Sequence, residues 1–224
     1  KGVLALSKKD ILYYIKKAND KGISCAIHAI GDRANKMIID AYHSYSRTNR
    51  LITPNRIEHA QLLYPGAIEK LKSSGAIASV QPSHLIADRD TADKYWGDRC
   101  KYAYIFRTML KNKIPTCFGS DAPIEKLDPL EGLYSAVNRC HPNDDRGAWF
   151  PNEKITVKQA VACYTTGAAF AMGMQGRLGK LSPGYLADMT VLSEDLFRIP
   201  PKNIHLTKVL GTISSGKIVY SKIK

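Results

Sequence analysis

The sequence predicts an α/β fold built on a parallel sheet, and three observations carry that reading. Short apolar runs alternate with longer stretches of helical period, the order that right-handed βα units produce. Capping and turn residues fall at the junctions between them. After Gly173 the pattern changes to short strands with tight turns and no long helix between them.

Taken in order, Ser7-Lys-Lys-Asp10 caps a helix whose Ile11, Leu12, Ile15 and Ala18 share one face, and Gly22 ends it. Ile23 to His28 reads as a buried strand. A helix follows with Ala34, Met37, Ile38, Ala41, Tyr42 and Tyr45 on one stripe. The unit then recurs: Arg56 to Ala60 is a strand, Gly66 to Ser74 a helix, and Ala76 to Val80 a strand. Leu85 to Lys101, rich in Asp and Arg and carrying Trp96, reads as a polar loop able to contact a substrate or to run over the surface. Tyr102 to Asn112 reads as a helix, Ile114 to Phe118 as a strand and Pro129 to Arg139 as a helix. Thr156 to Met172 is a helix opened by a Thr156-x-x-Gln159 capping box. Leu186 to Leu192 and Thr212 to Tyr220 read as strands.

The 33 basic and 20 acidic residues leave a net charge of +13, which raises the question of an anionic partner. The lysines are spread singly or in pairs, with no basic block and no interleaved aromatics. Solvated faces are therefore the expectation, and nucleic-acid binding is not. No apolar run reaches the length of a membrane helix, and no signal-peptide pattern opens the chain. Five cysteines without a C-x-x-C, two of them (Cys25 and Cys117) inside apolar runs, predict reduced thiols and a cytoplasmic home.

Ligands of parallel α/β folds bind beyond the carboxyl ends of the strands. There the four strands deliver His28, His59, Gln81-Pro-Ser-His84 and Gly119-Ser-Asp121. Imidazole nitrogens and a carboxylate are the ligands of a catalytic zinc or related divalent ion, which acidifies bound water. Asp121 beside it can take a proton and later return it to a leaving amine. A lone strand-end histidine is more often structural than ligating; several at successive strand ends make a shared site the better reading. His43, His141 and His205 lie apart from these ends. Arg33 either binds an anionic substrate group or pairs with Asp32. No G-x-S-x-G makes Ser120 a nucleophile, and glycines 173, 176 and 179 lack the remainder of a phosphate loop.

The segments His28-Ala-Ile-Gly-Asp-Arg-Ala34, Arg56-Ile-Glu-His-Ala-Gln61, Gln81-Pro-Ser-His84 and Gly119-Ser-Asp-Ala-Pro123, in that order, resemble the amidohydrolase superfamily. The narrower likeness is to its amidohydrolase 3, or YtcJ-like, group. The tail Gly179-Lys-Leu-Ser-Pro-Gly-Tyr-Leu-Ala-Asp188 resembles the element leading into that superfamily's small β-sandwich. The resemblance implies a partial TIM barrel over residues 1–173, holding the fifth to eighth barrel strands with their helices. Residues 174–224 would be the carboxyl-terminal strands of a composite β-sandwich. It also implies a metal-dependent hydrolase of C–N bonds in small amide-like substrates. His28, His59 and Asp121 match the metal ligands of the fifth, sixth and eighth strands, and Asp121 also matches the catalytic acid/base. His84, Gln81 and Arg33 fall on the substrate side.

The family's H-x-H pair on its first strand, and the further ligand on its fourth, have no counterpart here. The resemblance therefore implies the carboxyl-terminal part of a longer enzyme, with Lys1 at a boundary and the chain inactive alone. Half a barrel exposes two sheet edges and its inner surface, so self-pairing into a homo-oligomer is expected. The alternative is a non-catalytic regulatory or binding module on the same fold, since some relatives carry the label of exoenzyme regulatory protein.

Overall fold

The computed structural model describes residues 3–45 and 51–223; Lys1 lies outside them. Four parallel strands, β1 (Ala26–Ala29), β2 (Arg56–His59), β3 (Ile77–Val80) and β4 (Thr116–Phe118), pair side by side in chain order. With right-handed crossovers, an order that never reverses sends every connecting helix to the same face of the sheet. The helices, in chain order, are first α1 (Lys8–Asn19), α2 (Asp32–Tyr45) and α3 (Ala67–Ser74). Next come α4 (Pro82–Trp96), α5 (Phe106–Lys111) and α6 (Pro129–Asn138). A second, antiparallel sheet comprises β5 (Met189–Leu192), β6 (Val209–Ser214) and β7 (Lys217–Ser221).

The capping box of α1 forms as expected: the Ser7 side chain accepts from the Asp10 amide and the Asp10 carboxylate answers the Ser7 amide. Ile11 and Ile15 enter the core with Ile38, Ile39 and Tyr42 of α2, above Ile57 of β2. Thr156 caps α7 (Val157–Ala162) in the same way. The long helix expected there is broken by a π turn, Cys163–Gly167, before α8 (Ala168–Ala171). Gly167 lies so close to β4 that a Cβ would sit 2.4 Å from the Thr116 carbonyl oxygen. That contact seats the helix on the sheet.

Two other expectations are corrected. The polar loop at 85–101 is α4, followed by a 3₁₀ turn, Gly97–Tyr102. Pro82 at its first turn, after an extended Gln81, starts the helix. Its apolar stripe is thin because its polar residues bond to neighbouring segments: Arg89 pairs with Asp144 (3.1 Å), Asp90 with Arg146, and Asp93 accepts from the Trp149 indole (2.9 Å). The helix expected from Tyr102 begins only at Phe106, because Ala103 bridges to Leu62 and Tyr104 takes a left-handed conformation.

Arg146 and Arg89 hold the Asp144 carboxyl down at about 2. A carboxyl depressed below its ordinary value near 3.8 stabilises the fold above that value and loses the contribution as pH falls. Thermal stability is expected to drop between about pH 4 and pH 2. Asp144→Asn should flatten that part of the melting-temperature profile; an unchanged profile would refute the assignment.

Leu196 and Ile204, beyond residue 173, are buried in the same cluster as the parallel sheet's helices. The Asn138 side chain of α6 also donates to the Pro201 carbonyl (3.0 Å). Among the described residues no helix is long and apolar enough to cross a membrane.

Candidate metal centre

The carboxyl ends of β1 to β4 and the chain just beyond them carry the polar residues singled out above. In β2, Ile57 and His59 are buried while Arg56 and Glu58 are half-exposed, the alternation of an ordinary strand. At His59 the alternation stops. Its φ is 73° and that of Ala60 is 42°, two successive left-handed conformations in residues with a Cβ. Each costs about 1–2 kcal/mol. The turn brings the His59 ring edge-on to that of His28, centroids 4.5 Å apart.

Asn35 of α2 is fully buried. Its amide nitrogen lies within 3.1 Å of the carbonyl oxygens of Ala29, Ile30, Gly31 and Leu62. That one side chain ties the loop after His28 to the chain after His59.

His84 occupies the third position of α4, where its backbone N–H donates to the Gln81 carbonyl (3.2 Å). Its ring stacks at 5.8 Å on that of His59. Asp121, three residues past β4, has φ 61°, and its Oδ2 is 3.6 Å from His84 Nε2. One potential ligand atom from each of His59, His84 and Asp121 lies within 4.8 Å of the others. His59 Nδ1 and His84 Nε2 are buried with no hydrogen-bond partner. A buried imidazole nitrogen left unpaired is costly. Two of them near one carboxylate fit a divalent cation, for which imidazole and carboxylate are suitable donors. Desolvation, with His59 close by, holds His28 below the ordinary histidine range against the opposite pull of Asp121 and Glu58. At neutral pH its ring is therefore neutral and free to ligate.

The expected site residues fall into three groups. His59, His84 and Asp121 converge, and the His28 ring lies against His59 at their edge. Gln81 is buried, its side chain turned to the Ser79 carbonyl (3.4 Å) of its own strand. Arg33 is exposed; the Asp32 carboxylate accepts from the Arg33 backbone N–H (2.8 Å) and pairs with the Arg99 guanidinium (2.7 Å). His84, expected on the substrate side, stands in the tight cluster because α4 begins immediately after β3. The sequence reading missed Asp88 and Tyr104, whose hydrogen bonds join two of the segments carrying these residues. The signal for Asp88 is its i+4 spacing from His84, which puts both on one face only in a helix.

The model of the amidohydrolase family matches residues 1–220. The protein LONG AFTER FAR-RED 3 of Arabidopsis thaliana is 36% identical over 98% of this chain and 38% of its own length. YtcJ of Bacillus subtilis (strain 168), an amidohydrolase by name, is 36% identical over 93% of this chain and 39% of its own length. The crystal structure of an uncharacterized metal-dependent hydrolase from Pyrococcus horikoshii OT3 superposes with a TM-score of 0.76 at 29% identity. That match covers 89% of this chain and 40% of the other. The chain thus spans about two fifths of the length of the relatives it matches.

Proposed function

The chain belongs to the amidohydrolase family, and from that premise we propose that it is the carboxyl-terminal part of a metal-dependent hydrolase of C–N bonds in small amide-like substrates. The observation that carries the reading is the pair of buried, unpartnered imidazole nitrogens of His59 and His84 close to Asp121. His59, Asp121 and His28 would hold the ion, most suitably zinc, with His84 either completing the set or facing the substrate. The ion, when bound, supplies Lewis acidity and a water of lowered pKa. The chain's own residues do the rest. Asp121, its side chain 36% exposed, is placed to accept a proton at a carboxylate oxygen and return it to the departing amine. Gln81 and Arg33 border the substrate side.

The four-strand parallel sheet in unbroken order supports half of a TIM barrel over residues 1–173, with 174–224 belonging to a small β-sandwich. Among the described strands, β1 and β4 each have one unpaired edge, and His28 on β1 is exposed. The reading includes self-association of the isolated chain through these edges. The cysteine usage supports a cytoplasmic home.

The test compares the full-length protein with this chain. Full-length protein is expected to bind zinc stoichiometrically. His59→Ala should weaken binding by about 10- to 100-fold or more, the range reached even by changes outside the ligand set. The isolated chain should bind weakly, show no turnover and elute larger than a monomer. Tight zinc binding with hydrolysis by the isolated chain would overturn its assignment as a partial site. A full-length protein that binds no metal would leave the regulatory reading in its place.

A further inference from the structure

We propose that Asp88 is a positioning residue that sets His59 and His84 in register by joining the segments that carry them. This rests on the reading of those histidines as facing a metal ion. Asp88 lies four residues beyond His84 on α4, on the same helix face. Its Oδ2 accepts from the Gln61 side-chain amide and from the Tyr104 hydroxyl, each at 2.7 Å. Gln61 is two residues beyond His59, immediately after the left-handed turn at His59 and Ala60. The Tyr104 backbone N–H donates to the Gln61 carbonyl (2.9 Å), and Leu62 bridges to Ala103. Gln61, Asp88 and Tyr104 therefore close a triangle of three hydrogen bonds. One corner holds the strand end bearing His59, another holds the helix bearing His84.

The corners are rigid. Gln61 and Tyr104 are buried, and the Tyr104 carbonyl accepts from the fully buried Arg139 (2.9 Å). Burial and the Asp88 charge keep the Tyr104 hydroxyl protonated far above its ordinary range, so it remains a donor. A charged acceptor shared by two donors makes stronger bonds than a neutral one. The place of Asp88 is between the two segments, and its effect on the site passes through the angles of the two imidazoles.

Cobalt(II) titration of the full-length protein, followed by its visible absorption, tests this. The band reports ligand geometry and needs no turnover. Asp88→Ala is expected to weaken cobalt binding by about 10- to 100-fold, as outer partners of metal ligands do, and to change the band. Asp88→Asn, which keeps an acceptor oxygen, should recover most of both. If Asp88→Ala does not fold, Gln61→Ala and Tyr104→Phe each remove one arm and should each weaken binding severalfold with a shifted band. Wild-type affinity and spectrum in Asp88→Ala, or in both single-arm variants, would overturn the proposal while leaving the metal site standing. A wild-type protein that binds no cobalt would instead refute the metal reading, and this one with it.

Discussion

Asp121→Asn in the full-length protein is expected to lower hydrolysis of an amide substrate by about 100- to 10,000-fold, the usual contribution of a positioned proton carrier. The substitution changes little else. Asn and Asp share size and tolerate the left-handed backbone that φ 61° imposes at this position. What is removed is the negative charge 3.6 Å from His84 Nε2 and the oxygen able to take a proton. Metal content, measured by elemental analysis, should remain largely intact, because the histidines stay in place and the Asn side chain keeps one oxygen that can face the ion in place of the carboxylate. Turnover close to that of the wild type would remove Asp121 from the proton-carrying role. Loss of metal together with turnover would make it chiefly a ligand.

The largest effect on stability is expected at Arg139. It ends α6 in a left-handed conformation and is fully buried. Its guanidinium donates to the Trp149 carbonyl (2.7 Å) and the Tyr104 carbonyl (2.9 Å), and it lies over the Phe106 ring. The Trp149 amide donates back to the Arg139 carbonyl (2.7 Å). Burial lowers the guanidinium to about 10, so it remains a cation at neutral pH. Arg139→Ala leaves the buried Trp149 carbonyl oxygen without its donor, costing about 1–3 kcal/mol, takes one of two donors from the Tyr104 carbonyl, which keeps the Phe106 N–H (2.9 Å), and leaves a cavity as well. A total loss of about 2–4 kcal/mol is expected from the unpaired oxygen and the cavity together. The urea unfolding midpoint of the protein measures it. A loss below about 1 kcal/mol would mean that water or a rearranged neighbour replaces the guanidinium.

Both effects depend on parts of the chain that differ in how openly the sequence displays them. The α1 and α7 caps were legible because a capping box is a local pattern, complete within four residues. The strand ends were legible because apolar runs stop at polar residues, and that placed His28, His59, Gln81 and Asp121 on one rim. Helix α4 was not legible. Its polar residues satisfy partners more than fifty positions away, such as Arg89 with Asp144 and Asp93 with Trp149, so the helical period carries little apolar signal. Arg139 was hidden for the same reason. A buried arginine has no distinguishing neighbour in sequence, only carbonyl oxygens delivered by distant segments.

The alternation of strand and helix, the residues at the strand ends and the donor atoms those side chains carry are written in the order of amino acids. These follow from local periodicity and from the donor atoms of each residue type. That His84 joins His59 and Asp121 within 4.8 Å, while His28 lies at the edge against His59, depends on long-range packing. Two left-handed residues at the end of β2, His59 and Ala60, and a helix that begins one residue past β3 set those ring positions. Backbone turns of that kind persist only when surrounding contacts hold them, and those contacts come from segments far apart in the chain.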